Sequence, residues 1–174
     1  KIKDEIMGGQ VRGAAKLSED TLHLDSFYSN EKHVTLYLDQ WMGDDVWTRN
    51  IKYFGTQGDY INKLETKSKW ADITLYDITL EDNADDYKIH ISLGRAEPAL
   101  EQTLRQKLRG RGIQSDFIQI SGENYKHSYV DIKIPLKTGG LENIQLLFYD
   151  EDLRAFYPIN FRYDKLNQCV EATS

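Results

Sequence analysis

Residues 87–136 read YKIHISLGRAEPALEQTLRQKLRGRGIQSDFIQISGENYKHSYVDIKIPL, and the periodicities inside this stretch decide the fold. Tyr87, Ile89, Ile91 and Leu93 alternate with Lys88, His90 and Ser92, the two-residue period of a strand with one buried face. The period then changes. Pro98 suits a first helical position, Leu100, Leu104 and Leu108 recur every fourth residue, and Gly110 stands where a helix ends in a left-handed residue. A short amphipathic helix over about 98–109 follows. Two further strand patterns, Ile113 to Ile120 and Tyr129 to Leu136, flank the turn-forming Ser121-Gly122-Glu123-Asn124, which predicts a hairpin and a β-α-β-β unit. The leucine stripe is expected to cover Ile89, Ile91, Val130, Ile132 and Ile134.

Working outward on the N-terminal side, Trp70 to Leu80 is strand-like with a change of phase between Leu75 and Tyr76, as a bulge or burial on both faces would produce. Asp59 to Lys69, with Ile61 and Leu64 three apart, reads as a helix of two or three turns. His33 to Met42 and Val46 to Phe54 alternate around Gly43-Asp44-Asp45 and read as a hairpin. Residues 1–30 read as an arm and a first short strand around Leu22 and Leu24, and residues 31–174 as one α+β domain. On the C-terminal side, the Lys137 to Gly140 turn predicts a hairpin of Ile132–Leu136 with Leu141–Tyr149. Pro135, which lacks a ladder donor, requires that strand to end there or to lie at an edge. Ala155 to Tyr163 gives a last strand, and Asn167 to Ser174 reads as a tail that frays or packs by a short turn. The fold expected is a single α+β domain with a mainly antiparallel sheet and one helix.

The chain of 174 residues is 40% hydrophobic and 29% charged, ordinary globular usage that can support one core. Its net charge of −6 argues against a general nucleic-acid binder. No apolar run reaches the roughly 18 to 20 residues that span a bilayer, so no membrane span is expected. The chain opens on Lys1 rather than a methionine, so an upstream piece is expected, and an exported or periplasmic location is favoured over a cytoplasmic one. The single cysteine, Cys169, permits no intrachain disulfide and no multi-thiolate metal site.

Several chemistries fail on their spacing. Gly8, Gly9 and Gly13 lack the Lys-Ser/Thr of a phosphate loop. His23, His33, His90 and His127 show no helical pairing of zinc-ligand type, and no Gly-x-Ser-x-Gly is present. The acidic run Glu81 to Asp86 places Ala84 where a calcium loop needs oxygen, so it reads as a solvated hairpin loop, with an irregular calcium site as the alternative. No cofactor is expected.

One constellation remains. Asp131-Ile132-Lys133, with Asp116 on the preceding strand and Glu101 on the helix before it, resembles a metal-dependent nuclease site. The resemblance implies that the carboxylates hold a divalent cation while Lys133 steadies phosphate charge, since residues two apart on a strand face the same way. It covers about 35 residues and lacks the proline that family places before its first aspartate. The leading expectation is instead a non-catalytic protein–protein interaction module, such as an exported assembly component or an inhibitor of immunity type. Its partner, another protein, would meet the basic helix face (Arg105, Arg109, Arg111) and Tyr129, one of 11 tyrosines, and an edge strand offers a route to oligomers.

Overall fold

The computed structural model describes residues 15–17, 21–24, 33–37, 48–54, 60–80, 88–123 and 125–173. They form two sheets, a two-stranded ribbon and one helix, mainly antiparallel, as the alternating stretches predict. The first sheet has the order β1-β2-β4-β7-β8: β1 (Ala15–Leu17), β2 (Thr21–Leu24), β4 (Thr48–Phe54), β7 (Lys88–Arg95) and β8 (Ile118–Glu123). In the second, β13 (Arg162–Asp164), β14 (Cys169–Thr173), β10 (Val130–Pro135), β6 (Asp72–Leu80), β5 (Tyr60–Lys67) and β3 (His33–Tyr37) follow one another, and β9 (Tyr125–Lys126) pairs with the far end of β6. The ribbon joins β11 (Leu146–Asp150) to β12 (Ala155–Ile159).

The helix α1 (Pro98–Lys107) links β7 to its antiparallel neighbour β8. Pro98 starts it, Glu101 lies in the first turn and Lys107 in the last, each complementing the helix dipole, and Gly110 takes a φ of +86° just beyond the end. Leu104 is buried, and Leu100 and Leu108 are half-buried beside it. All three leucines border the same space as Val130, Ile132 and Ile134, while the side chains of Ile89 and Ile91 lie outside the described residues.

The tightest part of the core is the β5–β6 pair, where Ile61, Leu64, Leu75 and Ile78 have no exposed surface. Leu64 stands opposite Leu75, and Ile61 opposite Ile78. Ile73, Thr74 and Leu75 are buried in succession, so β6 is covered on both faces there. Asp77 then takes a left-handed φ of +52° and shifts the phase, accounting for the change between Leu75 and Tyr76.

Residues 60–67 are strand, not helix. The three-residue spacing of Ile61 and Leu64 suits either structure, and Thr66, polar by type, decides for strand by entering the core. It is fully buried and its hydroxyl donates to the Ile73 carbonyl at 3.2 Å. Ser68 makes the turn that follows, accepting from the Trp70 and Ala71 amides at 3.2 and 3.1 Å.

Four strand pairings also differ from expectation. β3 and β4 do not form a hairpin: β3 runs parallel to β5, setting Val34 beside Leu64, and β4 lies between β2 and β7. β8 belongs to the first sheet and β10 to the second, so the 113–136 hairpin is absent. β10 pairs with β6 and β14 rather than with β11, whose partner is β12. The acidic run joins strands of different sheets rather than a hairpin, and residues 81–87 themselves lie outside the described residues, as do Gly43 to Asp45 and the glycines of residues 1–14.

The tail, expected to fray or pack by a short turn, forms a strand inside the second sheet. Cys169 and Val170 are buried, and β14 pairs on both sides, with β13 and with β10. Two apolar residues sufficed because neighbouring strands supply the rest of the cover. Pro135 ends β10, as its missing donor requires.

Candidate binding cleft

A cavity of about 980 Å³ lies between α1, β8, β10 and the ribbon. Its walls are apolar: Leu100, Leu104 and Leu108 from the helix, Ile118 and Ile120 from β8, Val130, Ile132 and Ile134 from β10, and Leu146, Leu147 and Phe148 from β11. Most of these side chains are only half-buried, and Phe148 keeps 53% of its surface exposed. Leu153 and Tyr157 of the same ribbon are exposed too. Apolar groups of this size left open to water favour an occupant that covers them.

Local chemistry sets the ribbon against the helix. Asp150 accepts from the Asp152 and Leu153 amides at 2.9 and 3.0 Å, and Arg154 takes a φ of +52°, closing the 151–154 turn. Tyr149 and Phe156 meet across the two strands in a tilted ring contact with centroids 4.9 Å apart. At the helix end, Lys107 Nζ donates to the Arg154 carbonyl at 3.4 Å and stands 5.9 Å from the Tyr149 ring. Arg111 donates to Gln145 Oε1 at 3.4 Å. On the other side the turn after β10 is held by Lys137 donating its amide to the Gln114 carbonyl at 2.8 Å, with Gly140 at a φ of +65°. Residues 141–145 therefore line the cavity and do not pair with β10.

The charged part of the lining is mainly acidic. Asp116, Glu142, Asp150, Glu151 and Asp152 border the cavity, against the cations Arg111 and, behind Tyr149, Lys107.

The residues singled out from sequence are dispersed. Asp116 is half-buried on the segment leading into β8 and borders the cavity. Asp131 and Lys133 alternate with Val130, Ile132 and Ile134 on β10, so they point away from it. The Asp131 carboxylate accepts from Tyr76 Oη at 2.9 Å and from Thr173 Oγ1 at 2.5 Å. Burial first, then this hydrogen bond, pushes the Tyr76 phenol up to about 12. Glu101 binds Arg105 at 2.9 Å one helical turn away.

Among the described residues, the three metal-capable donors that do gather are Asp164, Cys169 and Glu171, within 4.8 Å of one another. The two carboxylates are already engaged, and the thiol is buried. Arg162 pairs with Glu171, and the Asn167 side chain and amide hold the Asp164 carboxyl below its ordinary range. Burial pushes the Cys169 thiol up.

The proposed partner contacts are likewise spread. Arg105 pairs with Glu101 and lies 5.3 Å from the Phe117 ring, Arg109 is exposed, and Arg111 borders the cavity. Tyr129 stacks on Tyr76 with centroids 4.2 Å apart, on the Asp131 side of the second sheet. Sequence reasoning missed Leu141, Ile144 and Phe148 as cleft residues, because their alternation reads as an ordinary strand and only the tertiary arrangement leaves them uncovered.

No family model matches the chain, and no curated protein or solved structure matches it either. Among the described residues, no helix is long and apolar enough to cross a membrane.

Proposed function

We propose that this protein is a non-catalytic interaction module that offers the cleft between α1, β8 and β11 to another protein. The observation that carries the reading is the half-covered apolar wall running from Leu100 and Leu108 to Leu147 and Phe148. Burying such a wall supplies about 25 cal/mol per Å² of apolar surface removed from water, and an aromatic at the mouth is the usual anchor of an interface. An assembly component, or an inhibitor of immunity type, works through a surface of this kind. The nuclease alternative would require Glu101, Asp116, Asp131 and Lys133 to share one cation and phosphate site, and Asp116 borders the cavity while Asp131 and Glu101 are bound elsewhere.

The test is to pan a random peptide display library on the parent protein and on Phe148→Glu. The expected outcome is a set of sequences enriched by the parent and lost with the variant, whose exposed substitution leaves folding intact. Panning that enriches nothing on the folded parent would remove the interaction reading.

A further inference from the structure

Two strand edges face the cleft. Successive side chains of a strand point to opposite faces, so a cavity under one face touches alternate residues, whereas a cavity along an edge touches consecutive ones. Every residue of β11, Leu146 to Asp150, borders this cavity, and so do Ile118 to Ser121 of β8. The strand partner of β8 is β7 and that of β11 is β12, and among the described residues neither has a second. Each strand therefore turns its unpaired side toward the apolar space.

An unpaired edge presents a row of amide and carbonyl groups ready to pair with an added strand, and alternate side chains of that strand enter the pockets beside it. The runs in question, four and five residues, span about 13 to 17 Å at the usual rise, enough for a short strand. The volume of about 980 Å³ gives room for the side chains it would bring.

We infer that the cleft binds an extended peptide segment of a partner protein by strand addition, the segment carrying apolar residues at alternate positions and basic residues beside them. The basic requirement comes from the lining, where Asp116, Glu142, Asp150, Glu151 and Asp152 outnumber Arg111, with Lys107 behind Tyr149. The chain's net charge of −6 sets a second copy at a disadvantage against a cationic partner. This inference rests on the interaction reading above and narrows it to one mode and one chemistry.

The experiment measures, by fluorescence anisotropy on the whole protein, binding of a labelled peptide of three valine–threonine repeats between paired lysines. Matched peptides carry glutamates in place of the lysines, or N-methyl groups on the valines or on the threonines. Binding of the lysine peptide is expected, weakened about tenfold or more by N-methylation of the set whose amides turn to the paired edge, because strand addition uses the backbone donors, and weakened also by the glutamates and by Phe148→Glu.

Unchanged affinity of both N-methylated peptides overturns strand addition, and equal affinity for the glutamate peptide overturns the basic partner. In both cases the interaction reading stands. No binding of the lysine peptide, while panning still enriches other sequences, removes this inference alone. Sedimentation that shows a dimer dissolved by Phe148→Glu assigns the cleft to a second copy, and a fluorescent fatty acid that binds and is not displaced by the lysine peptide assigns it to a lipid. Either result overturns the proposal.

Discussion

Truncating Leu104 separates an open apolar cleft from a closed core. The side chain is 5% exposed and borders the cavity together with Val130 and Ile134. Leu104→Ala removes three carbons, a transfer loss of about 2.5 kcal/mol at roughly 0.8 kcal/mol each. In a sealed core the void left behind adds to that loss. Here the vacated space joins a cleft that water already reaches, so the void contributes little and the expected cost is about 2 to 3 kcal/mol.

Leu75 is the control. It has no exposed surface and stands opposite Leu64 on one side and Val130 on the other, so Leu75→Ala should cost about 3 to 5 kcal/mol. Urea unfolding followed by circular dichroism, with the slopes compared, gives both values. A cost under about 0.5 kcal/mol for Leu104→Ala would mean that the helix is not docked on β10. A cost equal to that of Leu75→Ala would mean that the space beside Leu104 is closed, and the cleft argument would fail.

Three other outcomes are expected. Tyr76, whose phenol is raised from 10.0 to about 12, favours its neutral form in the folded protein. Its contribution is whole below pH 10 and is lost as pH rises toward 12, so Tyr76→Phe should flatten the fall in stability across that window, and parallel unfolding curves would refute it. The parent should show no magnesium- or manganese-dependent cleavage of DNA or RNA. Cleavage that vanishes in a still-folded Asp131→Ala, Lys133→Ala double variant would promote the nuclease instead. Cys169, buried in β14 with its thiol pushed up, should react slowly with a disulfide reagent near neutral pH in the folded state and rapidly in urea, and fast reaction of the native protein would place β14 outside the sheet.

Local chemistry was legible where one element explains itself. Pro98, the leucines at four-residue spacing and Gly110 specify α1 from within, and Pro135 ends β10 for lack of a donor. Strand existence was readable from alternation, yet pairing was not, since alternation names no partner and β3 runs parallel to β5 with Val34 in register with Leu64. Thr66 and the Cys169–Thr173 strand were misread for the same cause: a polar or sparse segment joins the core only when neighbours accept its hydrogen bonds and cover it. The cleft is further removed still. Nothing in the alternation of Leu146 to Asp150 tells which edge of that strand lies open, because openness is a property of what fails to pack beside it.

Amide hydrogen exchange of the protein with and without the lysine-flanked valine–threonine peptide tests the account most directly. Backbone amides of residues 118–121 and 146–150, the runs that border the cleft, should exchange more slowly with the peptide bound, while those of the β5–β6 core stay as they were. Protection confined to other surfaces, with these two edges unchanged in the presence of bound peptide, would contradict it.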